Sequence, residues 1–238
     1  MSLYEERIKA ELRVWQVRMQ KRPGFFNQLS NRLQRKINSY IPEKVHAAIT
    51  ATMRELVKAV LFGAKYTTGL PSPVHSLVAT EVAVKEKIKF YRNTAALEGG
   101  LTGAGGFLAG LADFPLLLSI KIKLLFEIAA LYGFDVNDYR ERIYILHVFE
   151  LAFSSDKHRN QVYQRMTNWA EKSNHLPEDI RQFDWRPFQQ EYRDYLDIAK
   201  MAQLIPVIGA PVGLVVNYRL LRKLGETAMN AYRMRLFS

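Results

Sequence analysis

Residues 99–120 read GGLTGAGGFLAGLADFPLLLSI, a run of glycine, alanine and large apolar side chains that one tripeptide, Asp113-Phe114-Pro115, interrupts. Small residues recur in it at a spacing of four, at Gly99 and Gly103 and again at Gly106 and Gly110. Such spacing lets two helices approach closely, whereas proline is tolerated in the first turn of a helix and harmful in its middle. The stretch therefore predicts a glycine-rich apolar helical hairpin that breaks at Ala112-Asp113, with Asp113 as the N-cap of its second helix.

The same stretch reaches the length of roughly 20 residues that a membrane-spanning helix needs. Asp113 would cost about 2.5–3.5 kcal/mol in hydrocarbon, and Pro115 weakens a spanning helix further. We expect a buried hairpin in a helical bundle and no span, with a re-entrant or interfacial element as the alternative. The segment Gly103-x-Gly105-Gly106 does not indicate a phosphate-binding loop, because no strand precedes it and no Gly-Lys-Ser/Thr ends it.

A second glycine-rich apolar segment, residues 205–217, reads IPVIGAPVGLVVN and carries Gly209 and Gly213. It ends on Asn217, so Asn217 and Asp113 occupy corresponding places in the two segments. Short polar side chains of this kind most often cap helices. The alternative is that the two form a polar pair in an apolar cleft.

Elsewhere the apolar residues recur at helical spacing, and no segment alternates as a strand does. Helices are predicted over residues 3–22 and 25–41, from Pro42 to near Gly63, from Asn137 as a cap, across Val162 to Trp169, and from Pro187; Gly133 ends the helix that follows Pro115. The predicted fold class is all-α, a multi-helix bundle around the glycine-rich hairpin. We expect a basic amphipathic N-terminal segment, 1–42, and a helical domain, 43–238, which could form one continuous domain.

The net charge of +11 is concentrated at the two ends of the chain. Residues 1–54 carry +7 and residues 217–238 carry +4, whereas the residues between them are neutral overall. If the ends meet in space, they form a basic face that attracts anionic lipid, nucleic acid or an acidic partner; otherwise the charge serves solubility. The candidate residues for binding an anionic surface are Arg18, Lys21, Arg22, Arg32, Arg35, Lys36, Arg219, Arg222 and Lys223.

Two motifs, in this order along the chain, resemble the signature of one protein family. The first runs from Gly99 through Ala112-Asp113-Phe114-Pro115 to Tyr132-Gly133-Phe134-Asp135, and the second from Ile205-Pro206-x-Ile208-Gly209-Ala210 to Asn217. Together they resemble the EcsC family over roughly residues 45–235. The resemblance implies an intracellular, membrane-associated bacterial protein, in a family named after a protein associated with an ABC transporter operon. It implies little about mechanism.

No pattern in the chain names a reaction. The absence of cysteine removes disulfides, thiolate metal sites and a cysteine nucleophile. The five histidines are scattered, His147 shares a helix face only with Glu150, and neither HExxH nor GxSxG occurs. We therefore predict no metal and no cofactor.

The sequence predicts a non-catalytic helical protein that associates peripherally with an anionic membrane surface or a membrane-protein partner, and the family resemblance implies a link to a transporter. It is expected in the cytoplasm, at the inner face of the cell membrane, because acidic residues stand where a signal peptide is basic. Nucleic-acid binding is disfavoured, since no binding motif accompanies the charge. The alternative is a hydrolase-like enzyme with a carboxylate site that pairs Asp113 with Glu98 or Glu127.

Overall fold

The structure, a computed structural model, describes residues 2–21, 43–62, 76–102, 106–155, 158–182 and 209–238. Over these ranges it contains eight α-helices, one short 3₁₀ helix and no β-strand, which confirms the all-α prediction. The α-helices are α1 (Leu3–Gln20), α2 (Glu43–Phe62), α3 (Leu77–Thr102), α4 (Gly106–Leu131), α5 (Tyr139–Phe153), α6 (Arg159–Met166), α7 (Trp169–Ser173) and α8 (Gly209–Leu236); the 3₁₀ helix is Ile180–Gln182.

The first helix begins where its capping residues place it. The Ser2 side chain accepts from the backbone N–H of Glu5, and the Glu5 side chain accepts from the backbone N–H of Ser2, which is a capping box. Ile8 and Leu12 on its apolar stripe are buried, as the spacing predicts. The helices predicted over 25–41 and from Pro187 lie outside the described residues, and so does the expected domain boundary at residue 42.

The predicted helix break at Ala112-Asp113 is wrong, because α4 runs unbroken from Gly106 to Leu131 with Pro115 inside it. Asp113 therefore lies about two turns inside α4 and is not its N-cap. The residues around the proline, Phe114, Leu117 and Leu118, are fully buried. Their packing outweighs the roughly 3 kcal/mol that an interior proline costs, and Pro115 itself is exposed, so its ring needs no room in the core.

The glycine-rich hairpin is not confirmed. Helix α3 ends at Thr102 and α4 begins at Gly106, and these helices contact each other. Residues 103–105, which join them and include Gly103 and Gly105, lie outside the described residues.

Gly133 ends α4, as predicted. Its φ of 86° is in the left-handed region, which glycine adopts without a steric penalty. The backbone N–H of Gly133 donates to Ala130 and that of Phe134 donates to Ala129, each over 3.0 Å. These two hydrogen bonds form a Schellman motif, which satisfies carbonyls that the helix end would otherwise leave open.

Two other predicted helix ends need correction. Asp138, not Asn137, caps α5: its carboxylate accepts from the backbone N–H of Arg140 over 2.9 Å, whereas Asn137 donates to the Asp135 side chain in the preceding turn. Asp138 is the better cap because a carboxylate is the stronger acceptor at a helix N-terminus, where the helix dipole favours negative charge.

The helix predicted across Val162 to Trp169 is two helices, α6 and α7, because Asn168 between them has a φ of 50°.

Helices α3 and α8 lie side by side in opposite directions. Three contacts along them establish this register: Glu81 with Arg233, Ile88 with Gly225, and Arg92 with Tyr218. A Cβ atom on Gly225 would come within 2.6 Å of the Ile88 side chain, so glycine permits this close approach.

Helix α4 runs parallel to α8. Lys121 contacts Asn217 near one end of the pair, and Tyr132 stacks on Tyr232 farther along, with 5.5 Å between ring centroids. The core of the described bundle therefore lies between α3, α4 and α8, with α2 and α5 packed on it.

An N-terminal ion-pair cluster, formed by Tyr4, Glu11, Glu81 and Arg233, holds α1 against α3 and α8. Glu81 and Arg233 are buried, and the Arg233 guanidinium also approaches Glu11 on α1 to 3.4 Å. The Tyr4 hydroxyl donates to Glu81 over 2.7 Å. The first helix is thus part of the same bundle as the later ones.

A second internal ion pair joins α8 to α5. Arg235 donates to Glu141, which also accepts from the Tyr232 hydroxyl over 2.7 Å. Burial raises the pKa of Glu141, although Arg235 and Tyr232 both act in the opposite direction. Arg233 and Arg235 therefore contribute to the core and not to a basic surface.

Candidate functional site

The two glycine-rich motifs converge at one end of the bundle. Because α3 is antiparallel to α8, the last turns of α3, which hold Gly99, lie level with the first turns of α8. Because α4 is parallel to α8, the first turns of α4 lie at the same end. The motif glycines that the structure describes at this end are Gly99, Gly106, Gly110, Gly209 and Gly213.

A buried polar contact lies beneath this end, between Lys121 of α4 and Asn217 of α8. Both side chains are fully buried. The Lys121 ammonium donates to the Leu117 carbonyl over 3.2 Å and to the Asn217 side-chain oxygen over 3.3 Å. The Asn217 side-chain nitrogen has no hydrogen-bond partner among the residues that the structure describes. A buried ammonium needs such partners, because desolvation of an isolated charge is very costly.

Asn217 therefore does not cap a helix, since it lies in the third turn of α8. The partner that the structure describes for Asn217 is Lys121, which no sequence motif marked, and the alternative pairing of Asn217 with Asp113 stays a prediction. The signal available was positional: Lys121 follows Asp113 by eight residues, which is the same face of an α-helix. The Asp113 side chain lies outside the described part of the structure.

The alternative carboxylate pair of Asp113 with Glu127 is wrong. The two residues are on one continuous helix, and a separation of fourteen residues corresponds to about 21 Å. Glu127 already accepts from the Tyr91 hydroxyl over 2.5 Å, and the Lys87 ammonium is 2.9 Å from it. The Glu98 side chain lies outside the described residues, so its pairing with Asp113 stays a prediction.

The described basic candidates form two separate patches. Arg18 and Lys21 are exposed at the end of α1, where the Gln20 carbonyl accepts from Asn160 of α6. The end of α8 lies beside the middle of α1, since the Lys9 ammonium is 4.8 Å from the Phe237 ring.

The other patch is farther back along α8, at the exposed residues Arg219, Arg222 and Lys223. Ten residues separate Lys223 from Arg233, which is about 15 Å of helix. The two ends of the chain therefore contact each other, but the contact is the N-terminal ion-pair cluster, whose charges neutralise each other, and not a basic surface. Arg22, Arg32, Arg35 and Lys36 lie outside the described residues.

The outer face of α1 combines the first patch with exposed apolar side chains. Leu3 is 86% exposed, Val14 53% and Val17 56%, and helical spacing places all three on the side that carries Arg18 and Lys21. The opposite stripe of α1, which holds the buried Ile8 and Leu12, packs on the bundle. The missed signal was a second, sparser apolar row at a spacing of 11 and 14 residues from Leu3.

The residues that the structure describes contain neither a metal-binding cluster nor a membrane-spanning helix. No group of three or more His, Asp or Glu side chains among the described residues is placed to hold a metal ion. His147 and Glu150 form only a pair, 3.0 Å apart. None of the described helices combines the length and the apolar character that crossing a bilayer requires.

Comparison with known proteins matches this arrangement to one family. The model of the EcsC protein family matches residues 6–237, which include most of α1 as well as both glycine motifs. The chain is 43% identical to Protein EcsC of Bacillus subtilis (strain 168) over 223 residues, which cover 93% of this chain and 92% of that protein. It is 25% identical to the uncharacterized protein YdbA of the same organism over 245 residues, covering 94% and 90%. No solved structure matches it. The chain belongs to the EcsC protein family.

Proposed function

We propose that this protein is a non-catalytic helical protein that attaches reversibly to the anionic inner face of the cell membrane through the outer face of α1. One observation carries the proposal: Val14 and Val17 are more than half exposed beside the exposed Arg18 and Lys21. Helices that lie in a membrane interface present this combination of apolar and basic side chains. Membrane association is also what the family resemblance implies.

Both kinds of side chain would contribute to attachment. A basic residue near an anionic leaflet contributes about 1 kcal/mol, and the contribution is screened by salt. Leu3, Val14 and Val17 would each add roughly 25 cal/mol for every Å² of apolar surface that leaves water. The sum is modest, so the proposed attachment is peripheral and reversible.

The patch on α8 would support the same attachment from a second helix. In the register of α3 and α8, the exposed Lys89 and Phe90 lie level with Arg219 and Arg222. Phe90 is 60% exposed, and so this patch also joins an apolar side chain to basic ones. Two patches on one bundle would orient the protein on a surface.

Co-sedimentation with vesicles tests the proposal. The protein should pellet with vesicles that mix phosphatidylglycerol with phosphatidylcholine, and the bound fraction should fall with added salt. Vesicles contain no protein, so this binding also distinguishes lipid from a membrane-protein partner. Equal binding to phosphatidylcholine alone, or no binding to either vesicle, would contradict the proposal.

Matched variants locate the surface. Changing Arg18 and Lys21 together to glutamine should weaken binding. Changing Arg54 and Lys123 together, two exposed cations on α2 and α4, removes the same charge and should have little effect. If both double variants bind equally, the outer face of α1 is not the contact.

A further inference from the structure

A groove of about 380 Å³ lies on the side of the bundle formed by α5, α6 and α7. Its apolar surface comes from Ile143, Trp169 and Leu176. Ile143 and Trp169 are nearly buried, so they form a floor. The size is near the lower end of that of small-molecule binding sites.

The imidazole of His147 is part of this lining and is held by a buried carboxylate. Glu150, one turn later on α5, is fully buried, and one of its oxygens is 3.0 Å from His147 Nδ1. Trp169 meets the same imidazole edge-on, with 5.8 Å between ring centroids. The other Glu150 oxygen is buried and has no hydrogen-bond partner within the described ranges of the chain. A carboxylate in this position accepts the proton on Nδ1 and so sets the tautomer and the orientation of the ring.

Two cations stand at the edge of the groove, Arg165 and Lys172. The Lys172 ammonium donates to the Gln164 carbonyl and, over 3.3 Å, to the Thr167 hydroxyl. These hydrogen bonds hold the ammonium at the end of α6. Among the residues that the structure describes, no acidic side chain lines the groove, so this part of its lining presents an apolar floor beside two cationic side chains.

We propose that this groove binds a small anionic amphiphile. Its carboxylate or phosphate group lies between Arg165 and Lys172, and its alkyl or aromatic body lies on Trp169 and Ile143. Charge complementarity selects the head group, and charge-assisted hydrogen bonds to Arg and Lys are the strongest available to it. The site is on other helices than the outer face of α1 and does not depend on the proposed attachment to membranes.

Titration calorimetry with the full chain tests this, using four probes that each have a ten-carbon chain, at concentrations where the probe does not form micelles. Decanoate and decyl phosphate carry the two candidate anions, decanol is neutral, and decyltrimethylammonium is cationic. Both anions should bind at least tenfold more tightly than decanol, and the cation should bind most weakly. Binding that is equal across the four probes, or binding of none, would overturn the proposal. If only one anion binds, it identifies the head group.

Variants separate this groove from other basic surfaces. Changing Arg165 and Lys172 together to glutamine should weaken the binding of decanoate about tenfold or more and leave that of decanol unchanged. The double variant at Arg54 and Lys123 provides the charge-matched control and should bind decanoate normally. Circular dichroism confirms that each variant is folded. Unchanged decanoate binding in a folded Arg165/Lys172 variant would overturn the proposal.

Discussion

Arg233 donates two hydrogen bonds of 2.6 Å to the two carboxylate oxygens of Glu81, and both side chains are buried. The pair joins residues 152 positions apart and fixes the register of α3 against α8. Arg233→Met should therefore destabilise the protein by about 3–5 kcal/mol, because it leaves the Glu81 charge buried. Denaturant titration measures this loss.

The design of that experiment has two controls. Arg222→Met removes an arginine from the exposed pair with Glu226, 3.6 Å apart, and should cost less than about 1 kcal/mol. Adding Glu81→Gln to Arg233→Met removes the unpaired charge and should recover much of the loss. Equal losses for Arg233→Met and Arg222→Met would contradict a buried pair.

Tyr4 should make stability depend on alkaline pH. Burial and the hydrogen bond to Glu81 raise the pKa of Tyr4 from 10.0 to about 12. The unfolded chain then ionises at lower pH than the folded one, so this stabilisation is complete below pH 10 and is lost as the pH rises toward 12. Tyr4→Phe should be less stable than the natural protein at pH 8, and the difference should narrow above pH 10. The variant and the natural protein share every other titratable group, so a difference in stability between them that stays constant with pH would contradict this account.

Pro115→Ala should stabilise the protein by about 1–3 kcal/mol. The change restores the N–H that an interior helical position donates and removes the clash of the ring. Pro115 is exposed, so little packing is lost with it. Denaturant titration that shows a loss of stability would instead favour a helix that begins at Asp113.

Asn217→Ala should cost about 1–3 kcal/mol, because it removes the side-chain oxygen that accepts from the buried Lys121 ammonium. Asn93→Ala, at an exposed position of α3, should change stability by no more than about 0.5 kcal/mol. The two variants are compared by thermal or chemical unfolding. If the two variants have the same stability against unfolding, the contact between Lys121 and Asn217 does not contribute to the stability of the fold.

The sequence was most informative where a local signal acted alone. The start of α1 follows from the Ser2–Glu5 capping box, and the end of α4 follows from Gly133, which takes the left-handed conformation. Both depend on residues within a few positions of each other. Local rules of this kind determine a helix end where tertiary packing does not oppose them.

Predictions failed where packing opposed the local signal. At Pro115 the rule that proline begins a helix gave a break at Asp113, but the buried Phe114 and Leu117 keep α4 continuous. The contact of Lys121 with Asn217 joins residues 96 positions apart. It depends on the parallel packing of α4 and α8, which no local pattern encodes.

The net charge of the chain ends was also an incomplete guide to the surface. Arg233 and Arg235 count toward the +4 of residues 217–238, yet both pair with carboxylates inside the bundle. Val14 and Val17, by contrast, belong to an apolar row of α1 that is too sparse to stand out in the sequence. They become notable only because the opposite face of α1 packs on α6 and α8.

The measurement that tests the central claim most directly places a fluorescent reporter on the outer face of α1. The chain contains no cysteine, so Val17→Cys can be labelled at a single position with a dye that brightens in an apolar environment. Lys123→Cys on α4 provides the exposed control position. With vesicles that contain phosphatidylglycerol, the dye at position 17 should brighten and shift to shorter wavelength, whereas the dye at position 123 should not change. No change at position 17, or an equal change at both positions, would contradict the account that α1 contacts the membrane.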